Sequence, residues 1–238
     1  MEQYKRKVPA ARNKEKGFVK FTSKQLSVYY WFISKCLWNS ENKEDHYFIY
    51  RDEFSYAGIA RDLGIGSVNT VKSAIQKLEQ YNYLCVMPNM ICIPHKEYYT
   101  YLGIDLIRFL LAWSSELGAE ILMFYSILKR FYELNKKNNT KTFFNTKLML
   151  KLLGHRDSDS LCYKKFRLYI AFLQSFDLID CELSIKKKNG GEYIQYYLKD
   201  INTHVTPSCE YKDDEDIDID KEKIELLQSS IDFTIVED

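Results

Sequence analysis

Phe54-Ser-Tyr-Ala-Gly-Ile-Ala-Arg-Asp-Leu-Gly64 reads as a short helix with both ends marked. Ser55 is an N-cap, Tyr56–Leu63 is the helix, and Gly64 is the stop, a residue that turns the chain sharply at no steric cost. Ile59, Ala60 and Leu63 fall on its core side. Ser67 caps the next helix, Val68–Tyr81, in which Val71, Ile75 and Leu78 form a stripe at i, i+4 and i+7. Two apolar strands, Leu84–Met87 and Met90–Pro94, flank the turn signal Pro88-Asn89. Upstream, Ser23 predicts the cap of a helix reaching Asn39, with Leu26, Tyr29/Tyr30, Ile33 and Leu37 at helical spacing. His46–Tyr50, aromatic and β-branched, predicts a strand.

The second half of the 238-residue chain repeats this order. A connecting helix begins near Asp105 and ends at Leu117–Gly118, and helix Ala119–Asn135 follows. Thr142–Phe144 predicts a strand and Thr146–Leu153 a helix stopped by Gly154. Asp159 or Ser160 caps a helix to Phe176. Strands Ile179–Lys186 and Glu192–Lys199 flank Asn189-Gly190-Gly191, a strong hairpin signal. The halves align at an offset of about 95: Leu26 with Ile121, Val71 with Phe166, Ile75 with Ile170, Leu78 with Leu173, Leu84 with Ile179. The stops Gly64 and Gly154 sit at 90, so the second inter-helix turn is longer by five residues.

Helix, strand, helix, tight turn, helix, hairpin is the order of a winged helix-turn-helix. The expected fold is therefore α+β, mostly α, with two tandem winged-helix domains in pseudo-repeat. The expected organisation is a basic flexible arm at 1–20, a first winged-helix domain at 21–100, a connecting helix at 101–118, a second winged-helix domain at 119–204 and an acidic, disordered tail at 205–238. Around Phe54–Gly64, Thr70-Val71 and Leu78-Glu79 the chain resembles the helix-turn-helix consensus of bacterial winged-helix proteins, with one extra residue between Gly64 and Thr70.

Leu122-Met-Phe-Tyr-Ser-Ile-Leu-Lys-Arg-Phe-Tyr132, Leu148-Met-Leu-Lys-Leu-Leu-Gly154 and Tyr163-Lys-Lys-Phe-Arg-Leu168 carry a further resemblance. With them, residues 119–201 resemble the second winged-helix domain of the plasmid replication initiators called Rep 3. That resemblance implies a first domain that dimerises and touches DNA, and a second that reads repeated origin sites. It also implies host replication proteins as partners.

The residues themselves point to double-stranded DNA. The second recognition helix offers Tyr163, Lys164, Lys165 and Arg167 around the Phe166/Ile170 stripe, and the wing tip carries Lys186, Lys187 and Lys188. Such cations suit phosphates or an adjacent minor groove. The first recognition helix offers Asn69, Thr70, Lys72, Ser73, Gln76 and Lys77, a milder set that includes base-edge readers. Its wing, Met87-Pro88-Asn89-Met90, is uncharged and suits a protein contact.

Formal net charge is +1, yet it averages unlike parts. Residues 1–24 hold eight Lys/Arg against Glu2 and Glu15, hence +6, and this arm can track a minor groove. Residues 209–238 hold twelve Asp/Glu against three Lys, hence −9. This tail reads as a solubilising segment, a DNA mimic or a docking peptide.

No phosphate-loop, zinc-protease or nucleophile-elbow motif is present, so the expected protein is not an enzyme and needs no cofactor. Six cysteines without a C-x-x-C pair, no secretory signal and no membrane-length apolar run predict a cytoplasmic protein with reduced thiols. Cys85, Cys92 and His95 are too loosely spaced for a metal site. The readings other than initiator are a transcriptional regulator of a mobile element and a protein-interaction adaptor such as a helicase loader.

Overall fold

The computed structural model describes residues 5–9, 21–38, 47–94, 99–137, 143–146, 149, 153, 160–187 and 191–199. The fold is α+β and mostly helical. The chain divides into two compact units, Met1–Arg130 with Leu152–Gly154, and Phe131–Lys151 with His155–Asp238. The acidic tail lies outside the described residues.

In the first unit β1 (Lys5–Pro9) precedes α1 (Ser23–Lys35), β2 (Leu37–Trp38) and β3 (Tyr47–Tyr50). Then come α2 (Tyr56–Asp62), α3 (Val68–Gln80), β4 (Cys85–Val86), β5 (Met90–Ile93), β6 (Tyr99–Gly103) and α4 (Ile104–Trp113). The central sheet is antiparallel in the order β2-β3-β5-β4. Tyr47, Ile49, Ile91 and Ile93 bury one of its faces, as the alternation of a strand requires.

Helix α1 is the hub. Every residue from Leu26 to Ser34 is buried, so the helix is covered all round instead of on one stripe. Its cap is Thr22, one residue before the expected Ser23. The Thr22 hydroxyl accepts from Gln25 N at 3.3 Å, and Thr22 N donates to Gln25 Oε1 at 2.9 Å. Ser23 instead bonds to Glu120. The helix stops at Lys35, because Cys36 is extended. Leu37, expected on the helix, lies on β2 and is exposed.

The Phe54–Gly64 reading matches the structure closely. Ser55 Oγ accepts from Gly58 N at 2.9 Å. Gly64 has φ +61, with Gly64 N bonded to Arg61 O and Ile65 N to Ala60 O. This closing geometry satisfies helix-end carbonyls and favours a residue without Cβ.

Three further expectations differ from the structure. Residues 5–9, expected within a flexible arm, form β1, paired antiparallel with β6 from Lys5 opposite Gly103 to Pro9 opposite Tyr99. Tyr99-Thr-Tyr-Leu supplies a β-prone partner, and an edge strand tolerates both the lysines and a terminal proline. Second, the connecting helix breaks at Ser114, not Gly118. Ser114 is extended and its hydroxyl accepts from Leu117 N at 3.3 Å, so it caps α5 (Ser115–Lys137). Third, the units divide within α5 at Arg130/Phe131, whereas the second domain was expected to begin at 119. The first half of α5 is tied to elements of the first unit: Ser23 bonds to Glu120, Tyr30 Oη lies 4.0 Å from Met123 Sδ, and Lys129 Nζ donates to Tyr101 O at 2.6 Å.

The second unit holds β7 (Phe143–Asn145), α6 (Ser160–Ser175), β8 (Ile179–Lys187) and β9 (Gly191–Leu198). Its sheet order is β7-β9-β8. Of the expected helix Thr146–Leu153, only Thr146, Met149 and Leu153 are described. Phe166, Tyr169, Ile170, Phe172 and Leu173 are the buried face of α6, and the Phe144 ring lies 5.5 Å from Phe166 and 5.2 Å from Tyr196.

A detail invisible in composition ties α3 and α6 together. Asn82 (φ 59) and Asp177 (φ 58) are both left-handed and stand 95 residues apart. After α3, Tyr83 N bonds to Leu78 O and Asn82 N to Glu79 O; after α6, Leu178 N bonds to Leu173 O and Asp177 N to Gln174 O. Both ends are the same closing turn. Asn82→Ala should cost about 1 kcal/mol in urea unfolding, and Asn82→Gly should cost nothing or stabilise.

Candidate nucleic-acid interface

Helix α3 buries Val71, Ala74, Ile75 and Leu78. That stripe fixes what faces outward: Asn69, Lys72, Ser73 and Gln76 are exposed and Thr70 is half-buried. The exposed set spans i, i+3, i+4 and i+7, one continuous face about two turns long. Its amides can each make paired bonds to an adenine edge, and its lysine suits phosphate. Glu79, the helix's one acid, turns back to accept from Val86 N at 3.3 Å.

Beside this face stands a group that sequence reading missed. Arg51 donates to Tyr56 Oη at 2.6 Å, its guanidinium lies 5.8 Å from the Tyr56 ring, and Lys72 Nζ lies 5.7 Å from the same ring. Arg51 N also donates to Asn89 O at 2.9 Å, which anchors the turn after β3 to the β4–β5 hairpin. Two cations thus share one aromatic platform at the start of α2. The faint signal was Tyr56 directly after the Ser55 cap, an aromatic on a helix's first turn.

Lys77 Nζ lies 4.7 Å from the Tyr81 ring and 3.4 Å from its hydroxyl, so this lysine is folded onto the helix. The first hairpin is apolar at its tip, with Met87 42% and neighbouring Tyr50 44% exposed.

On α6, Lys164, Lys165 and Arg167 are exposed while Phe166 and Ile170 point inward. The helix sequence contains no acidic residue. Tyr163 is helical by its backbone. Lys186 stands opposite Glu192 and Lys187 opposite Gly191, at the far end of the β8–β9 ladder. Lys188 lies outside the described residues. With strands of nine and eight residues the second hairpin extends about 25 Å, well beyond the first, whose strands have two and four. The expected basic residues of the second unit therefore fall on two elements of that unit, the helix and the hairpin end. Of the basic arm, residues 5–9 are held in β1 and 10–20 lie outside the described residues.

Among the described residues no group of His, Cys, Asp and Glu could hold a metal ion, and no helix is long and apolar enough to cross a membrane. No protein-family model, curated protein or solved structure matches this chain.

Proposed function

We propose that both units are winged helix-turn-helix domains, and that the chain is a sequence-specific double-stranded DNA-binding protein that starts replication of a plasmid or phage. One observation carries the reading. In each half a helix precedes a strand, a last helix and a hairpin, and these three strands pair first-third-second, as β3-β5-β4 with β2 added beside β3 in the first unit and as β7-β9-β8 in the second; the last helix turns a polar or basic face outward.

In this reading α6 lies in the major groove, Arg167 reads a base edge, and Lys164 and Lys165 hold phosphates beside it. The β8–β9 lysines reach the flanking backbone. Helix α3 is the second reader, with Asn69 and Gln76 on base edges and Lys72 and Arg51 on phosphate. The sequence carries no phosphate-loop motif, and in this reading strand opening falls to host proteins recruited to the bound site. The apolar tip of the first hairpin, with Tyr50 and Met87 exposed, favours a protein contact there, with a second copy or a host replication protein. The same fold serves a transcriptional regulator of a mobile element. The two are separated by whether the selected sites sit as repeats beside an A·T-rich stretch or across a promoter.

The test is selection of bound duplexes from a random pool. A recurring motif should emerge, and Arg167→Ala should blur it at one base pair at a cost of about 1–3 kcal/mol. Recovery of a pool with no enriched motif would remove the sequence-specific reading. Arg51→Ala should weaken all duplexes alike, by roughly 1 kcal/mol, with a salt slope lower by about one. A change in motif instead would make Arg51 a base reader.

A further inference from the structure

Cys85 and Cys92 are direct cross-strand partners in the β4–β5 ladder. Residues directly opposite in an antiparallel pair project to the same face. Met87 N bonds to Met90 O at 2.9 Å, so the alternation of the ladder makes Cys85/Cys92 a hydrogen-bonded pair as well. Such pairs hold their Cα atoms about 5.5 Å apart, inside the range a disulfide spans. No disulfide joins the two in this structure. They differ in access: Cys85 is half-exposed, on the edge strand of the sheet, while Cys92 is buried on the strand next to it. Strand β4 is only two residues long.

We propose that Cys85 and Cys92 are a redox-responsive dithiol that reacts with low-molecular-weight disulfides and, when oxidised, staples β4 to β5. The accessible Cys85 thiolate attacks the small disulfide, forming a mixed disulfide and releasing one thiol. Cys92 then loses its proton and attacks the Cys85 sulfur, forming the Cys85–Cys92 bond and releasing the second thiol. Two electrons pass from the protein thiols to the small disulfide, and both protons leave with the released thiols. Cβ atoms of directly opposed residues lie somewhat farther apart than a relaxed disulfide holds them, so closure draws the strands together and keeps the bond reducible. Transient, sensing disulfides of this kind are the sort found in reducing compartments. The staple fixes the first unit's hairpin, and with it Asn89, whose carbonyl accepts from Arg51 N.

Residues 78–96 form one tryptic peptide containing both thiols, which makes the test direct. The full chain is incubated with oxidised glutathione, quenched by alkylation, digested and weighed. The peptide should appear lighter by two hydrogens relative to its reduced, unalkylated form. Cys92→Ser should trap glutathione on Cys85, and Cys85→Ser should leave the peptide free of adduct. Cys181, whose thiol burial pushes up to about 12, should react more slowly than Cys85. Glutathione remaining on Cys85 in the unsubstituted chain, or Cys85 linking to Cys36 or Cys181 as fast as to Cys92, would overturn the proposal. A second readout uses the unsubstituted protein alone. Phenylarsine oxide, which needs two adjacent thiols, should bind and be displaced by a dithiol but not by a monothiol. Amide exchange across the β4–β5 hairpin should slow about tenfold on oxidation. Failure of the arsenical to bind, or unchanged exchange in the oxidised chain, would also contradict it.

Discussion

Replacing Lys164, Lys165 and Arg167 together by alanine should weaken binding to the selected duplex by roughly a hundredfold to several thousandfold and lower the salt slope by about two to three. The magnitude follows from adding one base-reading arginine, worth about 1–3 kcal/mol, to two phosphate contacts of about 1 kcal/mol each. All three side chains are exposed, and Phe166, Ile170 and Leu173 continue to hold the helix, so the fold should survive. Circular dichroism and thermal unfolding should match the unsubstituted chain. Lys186/Lys187/Lys188→Ala should lower the slope in the same way while leaving the preferred sequence intact. Unchanged affinity in both variants would mean that the basic surface of the second unit does not face DNA.

Gly118→Ala should destabilise the first unit by about 1–3 kcal/mol or more, although alanine is the better helix former by about 1 kcal/mol. A Cβ at this position would stand 1.9 Å from the Leu110 carbonyl oxygen and 2.6 Å from its carbon. Both are backbone atoms of α4, so no rotamer change relieves the contact, and the α4–α5 elbow has to open. The control is Gly66→Ala, where a Cβ meets nothing within 4 Å. Urea unfolding of the two variants should separate clearly. A neutral Gly118→Ala would show that α4 and α5 do not pack through this glycine.

Gly118 also shows where sequence reading works and where it does not. At Gly64 the sequence predicts a helix stop, and the left-handed φ agrees. At Gly118 the sequence predicts a stop too, yet the residue sits inside α5 because two backbones meet there. A glycine's sequence neighbours do not say which of its two uses applies; the tertiary partner, Leu110, decides. The buried stripe of α3 and the pairing of β8 with β9 were legible because helical spacing and strand patterning are local, while Asn189-Gly190 itself lies outside the described residues. Pairing of β1 with β6 was not, since Lys5-Arg-Lys-Val-Pro9 looks like a charged tail until its partner ninety residues on is known.

The candidate interface divides in the same way. Lys164, Lys165 and Arg167 were readable as an outward face because Phe166 and Ile170 define the inward one. Arg51 was not, because its place depends on Tyr56, on Lys72 from another helix and on Asn89 from the hairpin. The matching left-handed residues Asn82 and Asp177 lay within the aligned repeat, but an asparagine and an aspartate carry no visible likeness until their backbone angles are compared.

Sequence-specific DNA binding is tested most simply by the affinity of the full chain for its selected duplex across a range of salt, beside a scrambled duplex of equal length. Log affinity should fall linearly with log salt, with a slope of several units, and the selected duplex should be preferred by at least about a thousandfold at physiological salt. A flat salt dependence, or equal affinity for the two duplexes, would contradict sequence-specific binding.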